Sequence, residues 1–209
     1  MMRTALRAAA PILPYLAVAV GLYAFHNAWV TLLGYHVGMI VVLAAAGHLG
    51  EAGQLLKLRR LPLALLAVLF GAMGGVLLYL LWPILGIRLD FGAALGRLGL
   101  AGKSWLVFIL YFSLVNPWLE ELYWRSYLGS PGKSVILNDL LFSGYHLGVL
   151  ALFVSIPWLL AVFLILSGSA WLWRQFARLS DGLLLPVLSH MAADLTLILV
   201  IYHYSVVFL

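Results

Sequence analysis

Long apolar blocks separated by short polar steps divide the chain at residues 8–25, 28–47, 62–86, 104–129, 135–151, 152–173 and 183–207. A helix needs about 20 apolar residues to cross a bilayer. The pattern therefore predicts an all-α, polytopic membrane helix bundle of about seven transmembrane helices. Only His26 and Asn27 separate the first two blocks, so one bent element competes with two helices there. Ser155, Ile156 and Pro157 mark a tight turn between the fifth and sixth blocks. The connector 48–61 carries Lys57, Arg59 and Arg60 and reads as a short interfacial segment. Residues 87–103, glycine-rich with apolar residues between charges, suit an amphipathic turn or two along the headgroup plane.

Composition agrees with that pattern. Of the 209 residues, 65% are hydrophobic and 9% charged, too few polar groups to cover a soluble globule. Mean hydropathy is +1.10, which points to an integral, multi-pass membrane protein. The net charge of +5 is too sparse and scattered for a nucleic-acid footprint. With the N-terminus cytoplasmic, Arg3, Arg7, Lys57, Arg59, Arg60, Lys133, Arg174 and Arg178 fall on the cytoplasmic side. Arg88, Arg97 and Lys103 fall on the other, and the asymmetry favours that orientation under the positive-inside rule. Arg3 and Arg7 ahead of an apolar block also resemble the start of a signal peptide, but the series of further spans favours a first transmembrane helix. Cysteine is absent, which removes disulfides, thiolate ligands and a cysteine nucleophile.

Ionisable groups inside a span cost a few kcal/mol each on insertion scales (about 3), so they face protein or a cavity and need partners. Here they cluster on three helices. Glu120, Glu121 and Arg125 lie in 104–129, Asp139 and His146 in 135–151, and His190 and Asp194 in 183–207. Glu121 and Arg125 stand four residues apart with the acid first, the better order for a helical ion pair. Glu120 projects about 100° away on the same turn. One carboxylate is thus expected to be tied to Arg125 while its neighbour stays free as a general base. Phe142 and His146 are also four apart, so the ring can wall one side of the imidazole, and His190 and Asp194 repeat the spacing. Taken singly, each group reads as interhelical glue at least as well as catalytic machinery. His26, His36, His48 and His203 lack such company in sequence and read as interfacial or interhelical contacts.

These three stretches resemble the CPBP family of CAAX proteases and bacteriocin-processing (Abi) intramembrane endopeptidases. Its motifs E-E-x-x-x-R, F-x-x-x-H and H-x-x-x-N/D appear in order as Glu120-Glu121 to Arg125, Phe142 to His146 and His190 to Asp194. The lead-in DGLLLPVLSH before the third histidine is similar as well. The resemblance covers roughly residues 104–200. It implies a CAAX-protease-like helical core in 104–209, with 1–103 supplying N-terminal helices and interfacial loops to one integral membrane domain. It further implies that Glu120 and His146 activate water against a peptide carbonyl, that His190 and residue 194 stabilise the oxyanion, and that Glu121 and Arg125, with Phe142 beside them, support the site. Asp194 departs from the asparagine of the best-studied members. A charged aspartate cannot donate to an oxyanion, so it is either protonated or only orients His190.

Glu and two His are adequate zinc ligands, but H-E-x-x-H is absent, so no metal or other cofactor is expected and a zinc-dependent version remains the less favoured alternative. Ser167, Gly168, Ser169 and Ala170 could suggest a membrane serine protease, yet small residues at that spacing normally mean close helix packing. The expected function is a glutamic-type intramembrane endopeptidase acting on a membrane-associated protein or peptide, in particular a C-terminal processing or sorting segment of the myxosortase kind. A minimal core without a soluble domain fits a bacterial inner-membrane enzyme. The competing reading is a non-catalytic scaffold or immunity protein that keeps the polar cluster for assembly.

Overall fold

The computed structural model describes residues 2–207. The side chain of Arg3, one of the charges used for orientation, lies outside what is described. Among the described residues there is no strand, and the chain folds as a polytopic helical bundle. The helices are α1 (Thr4–Ala24), α2 (Ala28–Ala45), α3 (Pro62–Ile84), α4 (Phe91–Arg97), α5 (Lys103–Leu114), α6 (Asn116–Glu120), α7 (Leu137–Leu150), α8 (Ile156–Ser180) and α9 (Leu184–Val207). A π-helix, Glu121–Tyr127, continues α6.

Local chemistry explains where these elements begin and end. The polar step after the first block breaks the chain into two helices. His26 adopts a left-handed conformation at φ 48°, and the Asn27 side chain caps α2 by accepting from the Val30 N–H at 3.0 Å. Gly21 lets α1 approach Thr31 of α2, where a Cβ would collide with the threonine. Pro62 and Pro157 sit in the first turns of α3 and α8, where their missing N–H costs nothing. Asp181 ends α8 in the left-handed region at φ 49°. The interfacial connector contains a 3₁₀ helix, Leu49–Leu56, and the glycine-rich one contains α4 with Phe91, Ala94 and Leu95 turned inward.

Among the described residues five helices, α1, α2, α3, α8 and α9, are long and apolar enough to cross a membrane, against the seven blocks of the sequence pattern. The other two blocks differ for physical reasons. Residues 104–129 form a helix interrupted at Val115, because Pro117 cannot donate to the i−4 carbonyl. Residues 135–151 supply only the 14-residue α7, about 21 Å long at 1.5 Å per residue. That is short of a hydrocarbon core of about 30 Å. Both stretches expose apolar side chains on one face, such as Leu106 and Leu137, and bury polar ones on the other, among them Asn116, Glu120 and Asp139. The outer faces of the long helices remain apolar, with Leu65, Leu66 and Leu80 of α3 exposed. With this pattern the protein is an integral membrane protein.

The tightest packing joins α3 to α9. Gly71 and Gly75, one turn apart, leave no room for a Cβ against Ser189 and Thr196. Close backbone approach through small residues replaces the hydrophobic drive that lipid cannot supply. This contact holds the helix that carries His190 and Asp194.

Candidate active site

Three helix ends meet at one side of the bundle. Arg174, near the end of α8, donates to the carbonyls of Ser130, Gly132 and Ser134 in the loop between the π-helix and α7. It also pairs with Asp139 at 2.7 Å, both side chains being buried. Arg174 is therefore not a loop charge, as the hydropathy pattern suggested, and Asp139 belongs to this anchor and not to the cluster around His146. Asp139 additionally accepts from the Ile136 N–H at the start of α7, at 3.0 Å. From this common end, Glu120, His146 and His190 lie seven, nine and six residues inside their helices. At 1.5 Å per residue these are depths of about 9–14 Å, so the three side chains meet at one level.

All seven residues singled out by spacing are brought together. Glu121 is fully buried. Its Oε1 accepts from His190 Nδ1 at 2.8 Å, and its Oε2 lies 3.3 Å from Arg125 Nε. The Arg125 contact is an ion pair by distance, but its N–H is not aimed at the oxygen, so neither atom has a hydrogen bond. The guanidinium instead lies over the Phe142 ring at 4.5 Å and the Trp173 ring at 5.4 Å. Phe142 also packs 4.9 Å from the His146 ring, as expected, and 6.2 Å from His190. His190 stacks on Trp173 at 4.1 Å.

Glu120 is tethered, contrary to the expectation of a free neighbour. It is 1% exposed. Its Oε1 accepts from the Tyr35 hydroxyl at 2.9 Å and the Tyr145 hydroxyl at 2.6 Å. Its Oε2 accepts from Asn116 at 3.3 Å and faces His190 Nε2 at 3.5 Å. Trp124 Nε1 holds the Tyr35 hydroxyl at 2.7 Å. Asp194 accepts from Asn116 at 3.0 Å and faces His190 Nε2 at 3.4 Å. His146 donates from Nδ1 to the Phe142 carbonyl at 2.8 Å, which leaves Nε2 as the basic nitrogen. The Tyr145 ring stacks on it at 4.0 Å and so joins it to Glu120.

Tyr35, His36, Asn116 and Tyr145 were not legible as site residues. His36 Nε2 lies 3.0 Å from Asn116 Oδ1, so this histidine joins the cluster from which sequence separation excluded it. The signals available were a polar residue beside Pro117 and two tyrosines within apolar blocks, and neither is specific.

Glu120, His146, His190, Asp194 and Asn116 share a cavity of about 170 Å³ with apolar walls from Val18 and Leu22 of α1, Leu32 of α2, and Phe108 and Phe112 of α5. Its chemistry is that of acids and imidazoles desolvated together, with donors fixed around them. Both His190 nitrogens face carboxylates, and His146 Nδ1 is taken by a carbonyl. Among the described residues no group of three His, Asp or Glu side chains is arranged to hold a metal ion.

Outside the membrane helices, burial lowers the pKa of His48, whose Nε2 contacts the Ser126 hydroxyl at 2.8 Å. Hydrogen bonds from Arg88 and Arg97 pull the exposed Asp90 carboxyl down to about 2.

A membrane helix bundle thus encloses a carboxylate–imidazole cluster. Residues 102–196, just under half the chain, match the family model described as type II CAAX prenyl endopeptidase Rce1-like. This segment holds all three motifs and is similar to the CAAX protease family of intramembrane endopeptidases. No curated protein and no solved structure matches the chain.

Proposed function

We propose that this chain is a glutamic-type intramembrane endopeptidase that cleaves a membrane-associated protein or peptide, with a C-terminal processing or sorting segment as its substrate. The observation that carries the reading is that Glu120, His146, His190 and Asp194, from three helices, line one apolar-walled cavity. A water held between Glu120 and His146 attacks the scissile carbonyl carbon. Its proton passes to Nε2 of His146, the nitrogen left basic by the bond from Nδ1 to Phe142. The tetrahedral oxyanion takes a hydrogen bond from His190 Nε2–H, which is only loosely held at 3.4–3.5 Å by Asp194 and Glu120. His146 then returns that proton to the leaving nitrogen as the C–N bond breaks, releasing a carboxylic acid and an amine; the acid keeps the water's second proton until it passes to the amine, giving carboxylate and ammonium. Asp194, an acceptor, orients His190. Glu121 and Arg125 hold His190 from the other side.

The reading places the enzyme in a bacterial inner membrane with its N-terminus cytoplasmic. Withdrawing Arg174 from the eight cytoplasmic charges leaves seven against three, and the asymmetry survives. It also has no need of a metal. Its test compares protein termini in cells carrying wild type and Glu120→Gln at matched expression. New termini that vanish in the variant, unaffected by a zinc chelator, support it. Identical termini with the wild-type phenotype intact favour a non-catalytic scaffold, and chelator-sensitive termini restored by zinc favour the zinc-dependent version.

A further inference from the structure

We infer that His36 and Asn116 form a positioning relay that sets the orientation of Glu120 and Asp194, so that the N-terminal helices complete the site and do not merely shield it. The inference rests on the peptidase reading above. Its observations are four hydrogen bonds that run in series from Tyr111 through His36 and Asn116 to the two carboxylates. Asn116 Nδ2 faces two carboxylates, Glu120 Oε2 at 3.3 Å and Asp194 Oδ2 at 3.0 Å, so the amide nitrogen must lie there and Oδ1 must lie opposite. Oδ1 can only accept, and its neighbour at 3.0 Å is His36 Nε2, so that nitrogen carries the proton. In the neutral ring His36 Nδ1 is then a lone pair, to which the Tyr111 hydroxyl at 3.0 Å donates. Every donor from Tyr111 to the two carboxylates thus meets one acceptor.

The relay has a definite task. Two buried carboxylates repel each other, and an uncharged amide giving one N–H to each holds both in place without adding charge. Turning the amide over would present its oxygen to both acids. His36 prevents this by holding Oδ1 from the far side. His36 is 2% exposed and lies outside the lining of the cavity, so its hydrogen bond to Asn116 is made away from bulk solvent. His36 comes from α2, outside the matched segment 102–196. Asn116 sits at the helix interruption beside Pro117.

The test uses the full-length protein in proteoliposomes and a quenched-fluorescent peptide spanning the most abundant wild-type-dependent terminus. His36→Leu and Asn116→Ala should each lower kcat by about 10²-fold, the cost of misplacing a reacting group by about 1 Å, with KM within about twofold. His36→Gln, whose amide N–H can occupy the position of Nε2–H, should recover most of the loss. The double variant should be no worse than either single one. Tyr111→Phe, at the half-buried end, removes only the last hydroxyl and keeps the test open if a core variant does not fold; it should cost a few-fold in kcat. Wild-type kcat in His36→Leu, Asn116→Ala and Tyr111→Phe, with Glu120→Gln inactive, overturns the relay and leaves the peptidase standing. His36→Gln as impaired as His36→Leu, with melting temperatures lowered in step, reduces the pair to scaffolding and also overturns it. Glu120→Gln cleaving like wild type overturns the peptidase reading, and the relay with it.

Discussion

Replacing Arg125 by methionine keeps the stem's packing against Phe142 and Trp173 and removes the charge. The cost can be worked from the surroundings. Glu121 is fully buried and has two partners, Arg125 at 3.3 Å and His190 Nδ1 at 2.8 Å. Removing one member of a buried pair costs about 3–5 kcal/mol, because the other charge is left desolvated. The Arg125 N–H is misdirected and the His190 bond survives, so the lower end applies to the pair. Losing the guanidinium from two ring faces adds about 0.5–1 kcal/mol each, giving about 4 kcal/mol in all. For a chain of this size that lowers the melting temperature by about 8–16 °C. The assay is thermal unfolding in one detergent, followed by tryptophan fluorescence. The decisive comparison is the double variant Glu121→Gln/Arg125→Met, which leaves no unpaired carboxylate and should regain about half the loss. An Arg125→Met loss below about 1 kcal/mol, or a double variant no more stable than the single one, would refute the argument that the guanidinium's role is to neutralise Glu121.

Three further outcomes follow from the geometry. Gly75→Leu drives a side chain into Thr196 and should separate α3 from α9, destabilising by about 2 kcal/mol or more and lowering activity through His190, whereas Gly74→Ala, facing the nearest Leu197 atom at 3.7 Å, should be tolerated; equal melting curves would contradict the packing. Asp90 is held at about 2 in the folded chain against 3.8 ordinarily, so its bonds to Arg88 and Arg97 stabilise the 88–97 segment fully above about pH 4. That contribution is lost as pH falls through about 2, and hydrogen exchange of this segment should rise between pH 4 and 2 in wild type but not in Asp90→Asn. Because the chain has no cysteine, Glu51→Cys and Leu89→Cys give clean single labels; a membrane-impermeant maleimide on intact cells should mark Leu89→Cys alone, and the reverse pattern would invert the orientation.

The sequence by itself determined the membrane class and the helical architecture, and it singled out seven residues that the fold brings together. It could do so because lipid leaves few places for charge, and because i,i+4 spacing places Glu121 with Arg125, Phe142 with His146, and His190 with Asp194 on shared helix faces. Pro117 already marked the helix break, though the apolar run concealed it. What periodicity reports is a face, not the neighbour across it. Only the tertiary structure decided that Arg174 is buried on Asp139, about two helix turns inside an apparent cytoplasmic end, and that α7 falls short of a full span. It also decided that Glu120 is held by Tyr35, Tyr145 and Asn116, since Tyr35 lies 85 residues away along the chain. His36 was set aside for want of charged company in sequence; it gains that company 80 residues away, at Asn116. Contacts across helices depend on how the bundle closes, and the hydrophobic pattern of one helix carries no record of which partner another helix will bring to it.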